Sequence, residues 1–292
     1  MSRAKGFTLI ELLVVISIIA LLLAIVVPSL GKAKRYAQRV ICGTNIRQQC
    51  LGVTLYAQEF NGAVPIVKND PSQWLWDLSF WTTNQICQYG GIDYKTFYCP
   101  ANMYRKMDDA RFWQYSWLTT NPAVFGVTLP CSSEVSVKDE SGLTIDQQQG
   151  YYRVLPQIFM FDRLDANGNS KFGASLMTGQ KAKWIRKISD LRNASSTIMV
   201  MDAVISQNIT SPYDFSEITT GGVYTMFPPL IDCTNHLSNQ RETAAAAYRM
   251  PSGANVGFTD GSVRWTNFGP TVQNSDMKMR VRSLGSGPVF WW

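Results

Sequence analysis

The sequence predicts an α+β protein, one long N-terminal helix packed on an antiparallel sheet head with long loops. Three observations carry that expectation. An apolar run, interrupted by the single charge of Glu11, extends from Phe7 to Leu30. Cys42, Ile46, Cys50, Val53, Ala57 and Phe60 then recur at spacings of four or three, one stripe of an amphipathic helix. From Gly62 onward Gly, Pro, Asn and aromatic residues become frequent, and β-branched runs lie between turn signals.

Taken in order, these define a leader at 1–6, an apolar helix at 7–30, its amphipathic continuation at 31–61 and a globular head at 62–292. As a helix the apolar run covers roughly 36 Å, enough to cross a hydrocarbon core of about 30 Å. Pro28 lies late in the run, where a proline removes a backbone donor and kinks or loosens a helix. Asn61-Gly62 is a stop signal, with Pro65 after it. In the head the expected strands are Ala123–Leu129, Tyr151–Phe161, Lys183–Ile188, Thr197–Val204, Asn255–Phe258 and Ser262–Phe268. Asp260-Gly261 between the last two reads as a structural hairpin turn. A two-residue turn puts Val256, Phe258, Val263 and Trp265 on one face, against the long helix.

Composition sets limits on function. With 292 residues, 46% hydrophobic and 16% charged, the chain has ample apolar surface to bury and is not disordered as a whole. A single apolar run excludes a multi-span membrane protein. A net charge of +6 is too small for a dedicated nucleic-acid binder, so no nucleic acid is expected as a partner.

The N-terminus admits three readings. A secretory signal peptide would use Ser29-Leu30-Gly31 as its small-x-small cleavage site, but its apolar region is usually only about 7–15 residues. A plain membrane anchor leaves Glu11 unexplained, because a charge inside a span is expensive. Gly6-Phe7-Thr8-Leu9-Ile10-Glu11, behind a short basic leader and ahead of an apolar helix, resembles the processing site of type IV prepilins and type II secretion pseudopilins. The resemblance implies a pilin-like fold and specific roles. A prepilin peptidase cuts after Gly6 and methylates the new amino group of Phe7. Glu11 meets the terminal amine of a neighbouring subunit during assembly. The implied partners are that peptidase, other pilin or pseudopilin subunits, the assembly machinery and the membrane. The implied location is single-pass in an inner membrane with the head in the periplasm, then in a filament.

Two further segments extend the resemblance to a group of pseudopilin-like proteins. One is Cys42-Gly43-Thr44-Asn45-Ile46-Arg47-Gln48 with Tyr56, Pro65 and Phe97-Tyr98-Cys99-Pro100. The other is Gly253 to Trp265, like that group's closing motif of a His, nine residues and Asp-Gly, except that Met250 stands in the His position.

The six cysteines are Cys42, Cys50, Cys87, Cys99, Cys131 and Cys233, with no Cys-x-x-Cys pair and so no zinc-site spacing. An oxidising compartment favours disulfides among them. Cys42 and Cys50, about 12 Å apart on a helix, are too distant to bridge. Cys42 or Cys50 to Cys87 or Cys99 would staple the helix to the early head.

His236, the only histidine, is expected on a loop or the surface. Asp162, Asp165, Asn167, Gly168 and Asn169 form a polar turn; the EF-hand pattern fails there, so calcium in a head loop is unsupported and no metal or other cofactor is expected. With no Gly-x-Ser-x-Gly elbow, catalysis is not expected. The expected function is that of a structural subunit. The alternatives are a minor pilin or adhesin whose aromatic head, rich in Trp74, Trp76, Trp81, Trp113 and Trp117, binds glycan or another ligand, and a membrane-tethered enzyme.

Overall fold

The computed structural model describes residues 6–67, 75–102, 152–170, 184–189, 193–206, 234–241, 249–269, 279–282 and 289–291. Helix α1 runs from Leu9 to Glu59. Pro28 lies inside it without ending it. After Phe60, Asn61 at φ 51° and Gly62 at φ 80° turn the chain away, and the amide of Gly62 donates to Ala57 O at 2.7 Å.

The head follows as β1 (Asp77–Ser79), α2 (Phe80–Gly90), a 3₁₀ turn (Tyr94–Phe97), β2 (Tyr152–Val154), β3 (Gln157–Phe159), β4 (Ile198–Asp202) and β5 (Ile205–Ser206). It continues with β6 (Leu237–Arg241), β7 (Arg249–Pro251), β8 (Gly253–Phe258), β9 (Val263–Asn267), β10 (Met279–Arg282) and β11 (Val289–Trp291). The central sheet has the order β3-β4-β8-β9, with every neighbour antiparallel. Smaller antiparallel groups are β1-β2, β10-β11-β5 and β6-β7. The protein is therefore α+β with a pilin-like layout, a long N-terminal helix on an antiparallel sheet. The expected strand at 123–129 falls outside the described residues, and 183–188 contributes only isolated bridges at Ile185 and Lys187.

Only the second half of α1 packs on the head. Cys42, Ile46, Gln49, Cys50, Gly52, Val53, Tyr56 and Ala57 are buried. The apolar stripe holds except at Phe60, which is exposed and stacks on Tyr56 at 4.3 Å. Two features let the helix sit close. Gly257 of β8 lies under Ile46 and Cys50, and Gly52 faces α2 next to Ile86 and Gly90. Helix α2 itself was not legible from periodicity. It is set by its ends: the Ser79 hydroxyl caps Thr82 N at 3.1 Å, and Gly91 closes it in the left-handed region at φ 57°. A serine cap and a left-handed glycine stop are standard helix boundaries.

The β8–β9 hairpin differs from expectation by one residue. Phe258 N donates to Ser262 O and Gly261 N to Phe258 O, both at 2.9 Å, so three residues, Thr259 to Gly261, make the loop. Such a loop is a tight turn followed by a left-handed residue, here Gly261 at φ 81°. The added residue moves β8 by one place against β9, so that Asn255 pairs with Trp265 and Gly257 with Val263. Asn255, Gly257, Val263 and Trp265 therefore share the helix-facing side. Val256 and Phe258 lie on the other, where Phe258 takes the Arg264 guanidinium at 4.9 Å. A one-residue change of register exchanges the two faces of a strand.

Asp260 Oδ1 accepts from Ser262 N at 2.9 Å and from its hydroxyl at 2.6 Å. Those hydrogen bonds hold its carboxyl below the usual range. This contribution is present at neutral pH and is lost as pH falls through the lowered value. Gly261→Val should destabilise the full-length protein by about 1–3 kcal/mol, from backbone strain alone, since nothing lies within 4 Å of an added Cβ. Asp260→Asn should be near neutral at pH 7. Urea unfolding in detergent measures both, and equal midpoints for wild type and Gly261→Val would refute the turn assignment.

Candidate functional site: an exposed apolar helix and a buried Cys-His-Asp centre

Residues 6–30 are exposed throughout. Thr8 caps α1 at φ −84° and ψ 152°, and Glu11 completes a capping box. Glu11 Oε2 accepts from Thr8 N and from the Thr8 hydroxyl, both at 2.8 Å, while Thr8 Oγ1 accepts from Glu11 N at 3.3 Å. Gly6 and Phe7 precede the cap, outside any helix or strand, and are exposed. The two serine hydroxyls within the run are likewise satisfied internally: Ser17 donates to Val14 O and Ser29 to Val26 O, both at 2.8 Å. The segment thus presents aliphatic side chains on all sides, is long and apolar enough to cross a membrane, and keeps its polar atoms bonded to itself.

Where α1 meets the head, four chain segments converge on a polar centre. Cys42 is the first buried residue of α1, and Cys99 follows the 3₁₀ turn. Their Cα atoms are 5.3 Å apart, and the sulfurs form a disulfide. Asp202 ends β4, and Asn235-His236 precede β6; His236 is held at φ 52°. Four hydrogen bonds reach the Asp202 carboxylate. Oδ2 accepts from Asn255 N at 3.0 Å, Asn255 Nδ2 at 2.8 Å and His236 Nε2 at 3.1 Å, and Oδ1 accepts from Asn235 Nδ2 at 3.0 Å. His236 Nε2 also lies 3.5 Å from Cys99 Sγ.

Further contacts tie this centre to α1 and to the edge of the sheet. Asn255 Nδ2 donates to Arg39 O at 3.1 Å. Trp265 packs edge-on to His236 at 5.1 Å and receives Arg39 on its ring at 3.9 Å. Gln157 stands directly opposite Asp202 in the β3–β4 register, hence on the same face, and is fully buried. Neither end of its side-chain amide has a hydrogen-bond partner among the described residues.

Several expectations change here. His236 lies in a bend just before β6, a loop position as expected, but it is buried, 5% exposed, rather than on the surface. Its partners stand at positions 42, 99 and 202, too far apart in sequence for any motif to unite them. The only advance signal is that Cys42 and Cys99 are both among the residues that carry the resemblance to pseudopilin-like proteins. Cys50 is a buried free thiol whose burial pushes its pKa up to about 12, so it is inert rather than a bridge. Cys87 is disulfide-bonded to a partner outside the described residues, where Cys131 and Cys233 also fall. Asp165 forms a self-contained turn, its Oδ1 accepting from Asn167 N and Asn169 N at 2.8 Å. Trp76 is buried in the core and Trp81 is partly buried; Trp74, Trp113 and Trp117 lie outside the described residues. Trp291 docks on the head, buried, with its indole donating to Ser206 Oγ at 3.0 Å.

Residues 1–27 match the family described as the prokaryotic N-terminal methylation motif. With the long apolar helix that starts inside that match exposed, the chain fits a type IV prepilin-like protein. Neither the curated proteins nor the solved structures contain a significant match.

Proposed function

We propose that this protein is a structural subunit, a pseudopilin or pilin-like protein of a type II secretion or type IV pilus-like filament, and not an enzyme. It is held in the inner membrane by α1 with its head in the periplasm. The prepilin peptidase cuts it after Gly6 and methylates Phe7, and the assembly machinery then draws it into a filament. The observation that carries this reading is the exposed aliphatic first half of α1, which begins within the methylation-motif match and continues past it. Such a surface is stable in lipid or against identical helices, but not in water. Glu11 is the one charge in it, and a neighbour's terminal ammonium offsets the cost of a carboxylate in that apolar setting.

Mass spectrometry of protein from its native host should find N-methyl-Phe at position 7. A chain beginning at Lys32 would instead identify a secretory signal peptide. Glu11→Ala should accumulate in the membrane at wild-type levels yet give few filaments in sheared fractions, because its loss eases insertion and removes the partner for the amine. Wild-type filament yield from this variant would refute the assembly role of Glu11.

A further inference from the structure

We infer that Cys42, Cys99, His236 and Asp202 form a zinc-type metal site in the reduced chain, which the Cys42–Cys99 disulfide closes. The four residues are buried, and each offers one donor atom, all within 4.8 Å of one another. This departs from the expectation that the chain holds no metal, which rested on the missing Cys-x-x-Cys spacing. The fold assembles the donors from four separate segments instead.

The geometry is close to what tetrahedral zinc requires. With Zn–S near 2.3 Å and Zn–N or Zn–O at about 2.0–2.2 Å, a tetrahedral centre separates sulfur from nitrogen by about 3.6 Å and nitrogen from oxygen by about 3.3 Å. Here Cys99 Sγ to His236 Nε2 is 3.5 Å, and His236 Nε2 to Asp202 Oδ2 is 3.1 Å. The two sulfurs stand too close, because they are bonded to each other. Breaking that bond lets them separate to the spacing of two thiolates on one ion.

The surroundings are those of a metal site. Asn255 and Asn235 hold the Asp202 carboxylate from outside, and Trp265 packs against the imidazole. Such outer contacts orient ligands and keep solvent away. The orphaned amide of Gln157, beside Asp202, is a polar group that the disulfide form leaves unused. Two thiolates, an imidazole and a carboxylate suit zinc better than a hard cation such as calcium.

The chemistry balances. A dithiol reductant gives two electrons and two protons to the Cys42–Cys99 bond and leaves as its own disulfide. Zinc then displaces the two thiol protons to solvent. The proton that His236 Nε2 donates to Asp202 in the disulfide form also leaves to solvent, Nδ1 takes one up, and the neutral imidazole binds through Nε2. Oxidation by a disulfide reverses the sequence and expels the ion. The site therefore takes either a metal or a covalent bond, and in both states it joins α1 to the sheet.

The test uses the full-length protein in detergent, reduced with a phosphine and titrated with Co²⁺ and Zn²⁺. Reduced wild type should bind one equivalent of cobalt, with the visible bands of a tetrahedral ion and a sulfur-to-cobalt charge-transfer band. Oxidised wild type should show neither. X-ray absorption of the zinc form should count two sulfur and two nitrogen or oxygen ligands. Cys42→Ser should lose about half the charge-transfer intensity under the same reducing conditions, where neither protein has the disulfide, and Cys87→Ser should keep all of it. Zinc should raise the melting temperature of reduced but not oxidised wild type. The inference is overturned by absence of the band in reduced wild type, by its full survival in Cys42→Ser, by its loss in Cys87→Ser, by more than two sulfur ligands, or by equal binding to the oxidised protein.

Discussion

Replacing Cys99 with serine should lower the stability of the full-length protein by about 4 kcal/mol in metal-free buffer. Cys42 and Cys99 are separated by 57 positions. Cutting a covalent loop of that length returns about 4 kcal/mol of conformational entropy to the unfolded chain. The serine also leaves a hydroxyl at a buried position beside His236, which adds to the loss unless it finds a partner. Urea unfolding in detergent, followed by tryptophan fluorescence, gives the value. Reduction of wild type by a phosphine in the same metal-free buffer should cost at least as much, because it also opens the disulfide of Cys87. An unchanged midpoint in the serine variant would show that the bond contributes nothing to holding the helix on the head.

Gly52→Val should be nearly as damaging, at about 3 kcal/mol. A Cβ at position 52 would lie 2.5 Å from the carbonyl oxygen of Ile86 and 3.3 Å from Gly90 Cα. The first of these is backbone in the middle of α2 and cannot turn aside as a side chain would. The two helices must separate, and separation loosens Tyr56, Ile86 and Cys87, which are buried nearby. Gly31→Ala provides the comparison. It lies on the same helix but meets only the end of the Arg35 side chain, at 3.9 Å. There the change should be neutral or slightly stabilising, because alanine is the better helix former. Equal midpoints for the two variants would refute close helix packing at Gly52.

What the sequence revealed follows from how local each signal is. The apolar run, the Cys42–Ala57 stripe and the Asn61-Gly62 stop depend on neighbours within one or two turns, and α1 has those features. The strands β3, β4, β8 and β9 are legible because short stretches with β-branched or aromatic residues stand between turn residues. The hairpin shows where this fails. Asp260-Gly261 marks a turn correctly, but the number of residues in the loop depends on hydrogen bonds between Phe258 and Ser262. That single residue decided whether Val256 or Gly257 faced the helix. The Cys-His-Asp centre was hidden for a different reason. Each of its members is unremarkable where it stands in the sequence, and four distant segments bring them together: α1 with Cys42, the chain after the 3₁₀ turn with Cys99, β4 with Asp202 and the residues before β6 with His236. The burial of His236 has no local signature, because its left-handed backbone and its partners are both set by distant segments.

The position of Cys42 has a mechanical consequence. It is the first buried residue of α1, one turn past the polar contacts of Gln38 and Arg39, so it marks the boundary at which the apolar attachment of the helix to the head begins. A pull along the stalk would otherwise begin to peel the helix from the sheet at that boundary, one apolar contact after another, which is the weakest way to load a joint. With Cys42 tied to Cys99, the load passes into the head through a covalent bond before it reaches Ile46, Cys50 or Val53. The head is riveted at the edge where peeling would start, and those contacts are spared the tension.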